Sequence, residues 1–140
     1  MTRKKIRHPK QAKSQRITIP IPYKTPSLIE YPAFSLFYLQ NSYCIRKCTQ
    51  EEKANFAEKL RILSKLTWNQ IWSASHQGLG CEKIRSNQIT GATIPANISP
   101  DVTFLAIRFS GEKPMIGFRT DNIFNIVWFD RDFTLYSHGN

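Results

Sequence analysis

The residues best placed for chemistry in this 140-residue chain are arginines set into apolar, strand-like runs. In Phe104-Leu105-Ala106-Ile107-Arg108-Phe109 the two-residue period of a strand turns Leu105, Ile107 and Phe109 one way and Phe104, Ala106 and Arg108 the other. In the next apolar run Met115, Gly117 and Arg119 share a side, and Gly117 leaves space beside the arginine. Two guanidinium groups on one open sheet face would grip a phosphodiester in bidentate fashion and stabilise charge as it builds in a transition state. Whether Arg108 and Arg119 share a face depends on the turn at residues 120–122, because one residue of register reverses the answer. The competing expectation is two ordinary arginines on the solvent side.

Acid–base groups that could serve such a site are Glu82, Tyr136, His138 and, with less support, His76. Glu82 follows the glycines that close the helical part of the chain, and His138 lies two residues beyond Tyr136. A histidine exchanges protons near neutral pH, and a nearby carboxylate can orient it or act as base. Cys44, Cys48, His76 and Cys81 carry atoms that bind zinc, with Cys44 and Cys48 spaced as a ligand pair, but the cysteines are expected to be buried free thiols instead. No Gly-rich phosphate loop, nucleophile elbow or His-Glu-x-x-His motif is present, so neither a metal nor a cofactor is expected. Trp68, Trp72, Phe118, Phe124, Trp128 and Phe129 have core spacing and are expected to pack rather than stack on bases.

These groups must be held by elements that the pattern predicts. An early strand is expected over residues 33–39, followed by a short second run at 43–46. Thr49-Gln50-Glu51-Glu52 forms a capping box, so a helix starts there, with Phe56, Leu60 and Leu63 as its apolar stripe. Glu51, Lys53, Glu58, Lys59 and Lys65 are expected mostly outside. Thr67-Trp68-Asn69-Gln70 repeats the capping signature and predicts a second helix over about 68–77, ended by Gly78 and Gly80. Residues 85–100 are polar and read as a long loop. Strands at 104–109, 115–119 and 123–129, and a shorter one at 133–136, are joined by links too short for anything but antiparallel pairing. The fold class is therefore α+β, with an early strand and two helices on one face of a C-terminal antiparallel meander of three or four strands. The other sheet face is expected to stay open for a ligand.

Charge divides the chain in two. Of 20 lysines and arginines, eight fall in residues 1–24 with no acid among them: Arg3, Lys4, Lys5, Arg7, Lys10, Lys13, Arg16 and Lys24. The other 12 bases face ten acids, so the overall charge of +10 leaves only +2 on residues 25–140. Residues 1–30, with Pro20, Pro22 and Pro26, read as a basic tail or linker, and residues 31–140 as a single domain. The tail points to an anionic partner, such as nucleic acid, the ribosome or an acidic protein segment. Three irregularly spaced cysteines describe no disulfide framework, no run of about 18 apolar residues exists for a membrane span, and the basic start is not followed by an apolar signal core. A cytoplasmic protein without a membrane partner is expected.

The order of elements, with Glu82-Lys83-Ile84, Phe104-Leu105-Ala106-Ile107-Arg108-Phe109-Ser110-Gly111, Met115-Ile116-Gly117-Phe118 and the closing Thr134-Leu135-Tyr136-Ser137-His138, resembles the RelE/ParE superfamily of toxins from bacterial toxin–antitoxin systems. The likeness spans residues 33–138 in element order. It implies a RelE-like fold and an mRNA endoribonuclease that works without metal, commonly on the ribosome, with the RNA 2′-hydroxyl as nucleophile and a cognate antitoxin as partner. Carried onto this chain, the resemblance makes Arg108 the stabiliser of the phosphorane, Glu82 the base and His138 or Tyr136 the acid. Lys83 and Arg119 would add phosphate-binding charge, joined by Arg3, Lys4, Lys5 and Arg7 of the tail. The other branch of the superfamily poisons DNA gyrase and needs none of these residues. A non-catalytic nucleic-acid- or ribosome-binding protein is the remaining reading, and a module for an acidic protein partner a further one.

Overall fold

The computed structural model describes residues 30–74, 79 and 81–137. Both helices start where the capping boxes place them. Thr49 Oγ1 accepts the Glu52 amide and the Glu52 carboxylate accepts the Thr49 amide, each at 3.1 Å, and α1 runs over Gln50–Leu63. Thr67 and Gln70 repeat the exchange at 3.2 and 2.9 Å, opening α2 at Trp68–Ser73; the further turn expected for it falls at residues 75–77, outside the described residues.

Five strands make one mixed sheet: β1 Ala33–Ser35, β2 Cys81–Ile84, β3 Phe104–Ser110, β4 Lys113–Thr120 and β5 Ile123–Phe129. Their spatial order is β1-β5-β4-β3-β2. β2 to β5 form the antiparallel meander, and β1 closes the far side parallel to β5, with Ala33 opposite Ile123. The early strand is shorter than expected, because the chain turns after Ser35, whose Oγ accepts the Phe37 amide at 3.2 Å. The run at 43–46 is no strand either: it belongs to two single 3₁₀ turns, Asn41–Tyr43 and Ile45–Lys47.

α1 and α2 cover one sheet face. Phe56, Leu63, Trp68 and Ile71 are buried there against Leu105, Ile107, Phe109, Met115, Phe124, Ile126 and Phe129. The opposite face, expected to be open, carries a second buried layer of Phe104, Ala106, Ile116, Phe118, Val127 and Trp128 beneath Ile89, Ile98, Leu135 and Tyr136. The polar loop supplies this cover because three isoleucines, Ile89, Ile94 and Ile98, are spread through it too thinly to form a period. The closing segment 133–136 is not a strand but is tied across the loop. It makes a single bridge from Tyr136 to Ile89, and Leu135 O accepts the amides of Thr90 and Gly91 at 2.9 and 3.0 Å. The buried Asp130 carboxylate accepts the amides of Thr134 and Leu135, at 2.9 and 3.2 Å.

Gly117 does not make room for a ligand. The register shifts there: Ile116 pairs with Trp128 and Gly117 with Ile126, so Val127 is an extra residue and both Val127 and Trp128 turn to the loop-covered face. A Cβ at Gly117 would stand 2.0 Å from Asn125 O, so the residue is required by backbone approach.

Candidate active site at the edge of the sheet

Three of the four residues expected to be catalytic, Arg108, Glu82 and Tyr136, converge where β2 begins. Glu82 pairs in register with Ala106 of β3, which puts its side chain on the loop-covered face with Arg108 two residues along β3. Tyr136 reaches the same place from the closing segment, and its phenol donates a hydrogen bond to the Glu82 carboxylate. The phenol is buried, while Glu82 and Arg108 are exposed. Burial, followed by the charges of Glu82 and Asp130, raises the Tyr136 pKa, and the Arg108 charge opposes that rise. The tyrosine is thus a donor and not a base at neutral pH. His138 lies outside the described residues, as do His76 and the tail bases Arg3, Lys4, Lys5 and Arg7.

The other two cations sit elsewhere. Arg119 is on the helix face, its guanidinium stacked 4.6 Å from the Trp68 ring centroid and its Nε donating to Asp121 O. It helps to line a cavity of about 230 Å³ with Glu30, Thr67, Trp68 and Asn69. Arg108 and Arg119 therefore do not share a face. Lys83, one residue from Glu82 and so on the opposite side of β2, lies over the Trp72 ring at 5.2 Å. Both cations are held against indoles of α2 by cation–π attraction. Comparison with protein families, with curated proteins and with solved structures finds no match for this chain.

Two features of the site are absent from the pattern of the sequence. Lys59 of α1, expected outside, is half-buried; burial and then the Arg108 charge lower its pKa. Its only signal was its position four residues after Asn55, one helical turn. Glu52 is buried as well, and does more than cap α1. Arg131 grips its carboxylate through Nε at 2.9 and 2.8 Å, and Lys113 approaches at 3.6 Å. This cluster fixes the start of α1 to the chain that leaves β5, on which Tyr136 depends for its position.

Among the described residues no three His, Cys, Asp or Glu side chains gather as metal ligands would. Cys48 and Cys81 are buried in the helix-side layer, and burial pushes the Cys81 thiol up to about 12. No described helix is long and apolar enough to cross a membrane.

Proposed function

We propose that this protein is a toxin-like endoribonuclease that cuts mRNA without a metal and is neutralised by a cognate antitoxin, as its resemblance to the RelE/ParE superfamily implies. What supports the reading is the hydrogen bond from Tyr136 to Glu82 beside the Arg108 charge. A base, a phenolic donor and a guanidinium are the groups that transfer to a 2′-hydroxyl requires. Glu82 takes the proton of the 2′-hydroxyl as the O2′–P bond forms. Arg108 holds the charge on the phosphorane oxygens. The P–O5′ bond then breaks, with the proton for the leaving oxygen supplied by His138 or Tyr136, leaving a 2′,3′-cyclic phosphate and a 5′-hydroxyl. The eight bases of residues 1–24 supply affinity for mRNA or the ribosome.

The test is incubation of the intact protein with end-labelled single-stranded RNA in chelator. The expected products end in cyclic phosphate, and Arg108→Ala should lower the rate by about 10²–10³-fold. Induced expression of the wild-type chain should halt growth and shorten mRNA, and Arg108→Ala should do neither. Toxicity that survives in the variant would sink the assignment. The acid-free tail favours a second reading, a non-catalytic nucleic-acid- or ribosome-binding protein. Tight binding with the RNA left intact would support it, and inhibited DNA supercoiling with intact RNA would indicate the gyrase-poisoning branch.

A further inference from the structure

We infer that the cavity beside the β4–β5 turn takes one guanine base of an RNA strand, an inference that deepens the proposed function and rests on its RNA partner. The walls come from parts of the chain that are all tied to one residue. Asn122 O accepts the Ala33 amide and the Trp68 indole N–H, each at 3.0 Å, and Asn122 Nδ2 donates to Tyr31 O at 3.2 Å. Those bonds hold the approach to β1, which carries Glu30, and the start of α2 against the end of β4, which carries Arg119. The guanidinium is itself fixed, by the Trp68 ring beneath it and by Asp121 O at its Nε. Its two terminal nitrogens find no acceptor among the described residues and remain as a fork.

Glu30 and Arg119 line the same cavity of about 230 Å³, and both are exposed. The opposite charges nevertheless make no ion pair with one another, whereas Lys113 and Arg131 close on Glu52. A ligand seated between them must offer acceptors to one and donors to the other. Among the four RNA bases guanine alone has both as side-by-side pairs, O6 and N7 for a guanidinium fork, and N1–H and N2–H for a carboxylate. Arg119 lies five residues along β4 from Pro114, the partner of Arg108, which is about 17 Å of strand, and on the opposite face. The pocket thus reads a base away from the phosphate at Glu82 and Arg108, and gives RNA binding a sequence preference.

The experiment titrates the full chain with 2′-O-methyl oligonucleotides, which cannot be cut, made of uridine except at one position. Guanine there should bind about tenfold more tightly than adenine. Inosine removes the N2 donor and 7-deazaguanine the N7 acceptor, and each should lose most of that advantage. Arg119→Lys keeps the charge over Trp68 without the fork, and Glu30→Gln keeps the shape without the charge. Each should erase the guanine preference while the salt slope moves by less than about one unit. A thermal melt accompanies each variant, and the inosine and 7-deazaguanine strands decide the matter on the wild-type chain where a variant fails to fold. Equal binding of the guanine and adenine strands, or a preference that survives in both variants, overturns the pocket. GMP that binds as tightly as the strand would make a free nucleotide the source of the base and overturn its place in RNA. If the wild type cuts RNA yet shows no preference for guanine, the pocket falls and the ribonuclease reading stands. If the preference depends on Glu30 and Arg119 while uncapped, unmodified RNA stays intact, the pocket stands and the ribonuclease reading falls.

Discussion

Removing the Tyr136 hydroxyl tests how the proposed site holds Glu82. The ring of Tyr136 packs in the loop-covered layer while its hydroxyl reaches Glu82, so Tyr136→Phe keeps the packing and loses only the donor. Cleavage is expected to fall by about 10²-fold, with the melting temperature nearly unchanged. Glu82→Gln should cost a similar factor. The double variant should lose far less than the product of the two, because the hydroxyl acts only through the carboxylate that Glu82→Gln removes; multiplying effects in a double-mutant cycle would show that the two groups act apart. At this scale the sequence was legible where strand alternation decides, as for Arg108. It was silent on Arg119, whose face depends on a turn and a bulge, and on Lys59, because a helical period counts any lysine as solvent-facing.

Among the elements, β4 and β5 are shaped by the bulge at Val127, and Gly117 is the residue that permits it. Gly117→Ala would drive a methyl into a backbone carbonyl 2.0 Å away. A destabilisation of at least about 2 kcal/mol is expected, measured by urea unfolding; a neutral result would mean that the two strands do not approach as described. Capping boxes announced both helices, since their residue types and spacing are local. The second core layer left no such trace. Its cover comes from a loop fixed by long-range backbone bonds, by the Tyr43 hydroxyl on Gly91 O at 3.1 Å and by the Asp130 carboxylate, none of which has a period. Gly91 itself is legible only afterwards, as the residue whose Cβ would meet Thr134 O at 2.0 Å.

For the molecule as a whole, acid should act first through Glu52. The Arg131 guanidinium hydrogen-bonded to it lowers the carboxyl from an ordinary 4.5 to about 2. The unfolded chain binds that proton more tightly, so the pair's contribution is complete above about pH 4.5 and is lost as pH falls towards about 2. The wild-type urea midpoint should therefore drop below pH 4.5. Glu52→Gln should start about 2 kcal/mol lower at pH 7 and fall less over the same interval; parallel curves would assign the acid sensitivity to other groups. Deleting residues 1–24 should reduce the salt slope of single-stranded RNA binding by up to about six units, as eight phosphate contacts are lost, and an unchanged slope would leave the tail without a binding role.

The pairing of β1 with β5 also sets when the fold can exist. Ala33 waits for Ile123, so during synthesis the chain must leave the ribosome as far as β5 before the sheet gains its last neighbour, and Tyr136 follows later still. Contacts this distant form slowly. A nascent chain of this protein therefore has no closed sheet until β5 has emerged, and Tyr136 joins Glu82 and Arg108 only after that.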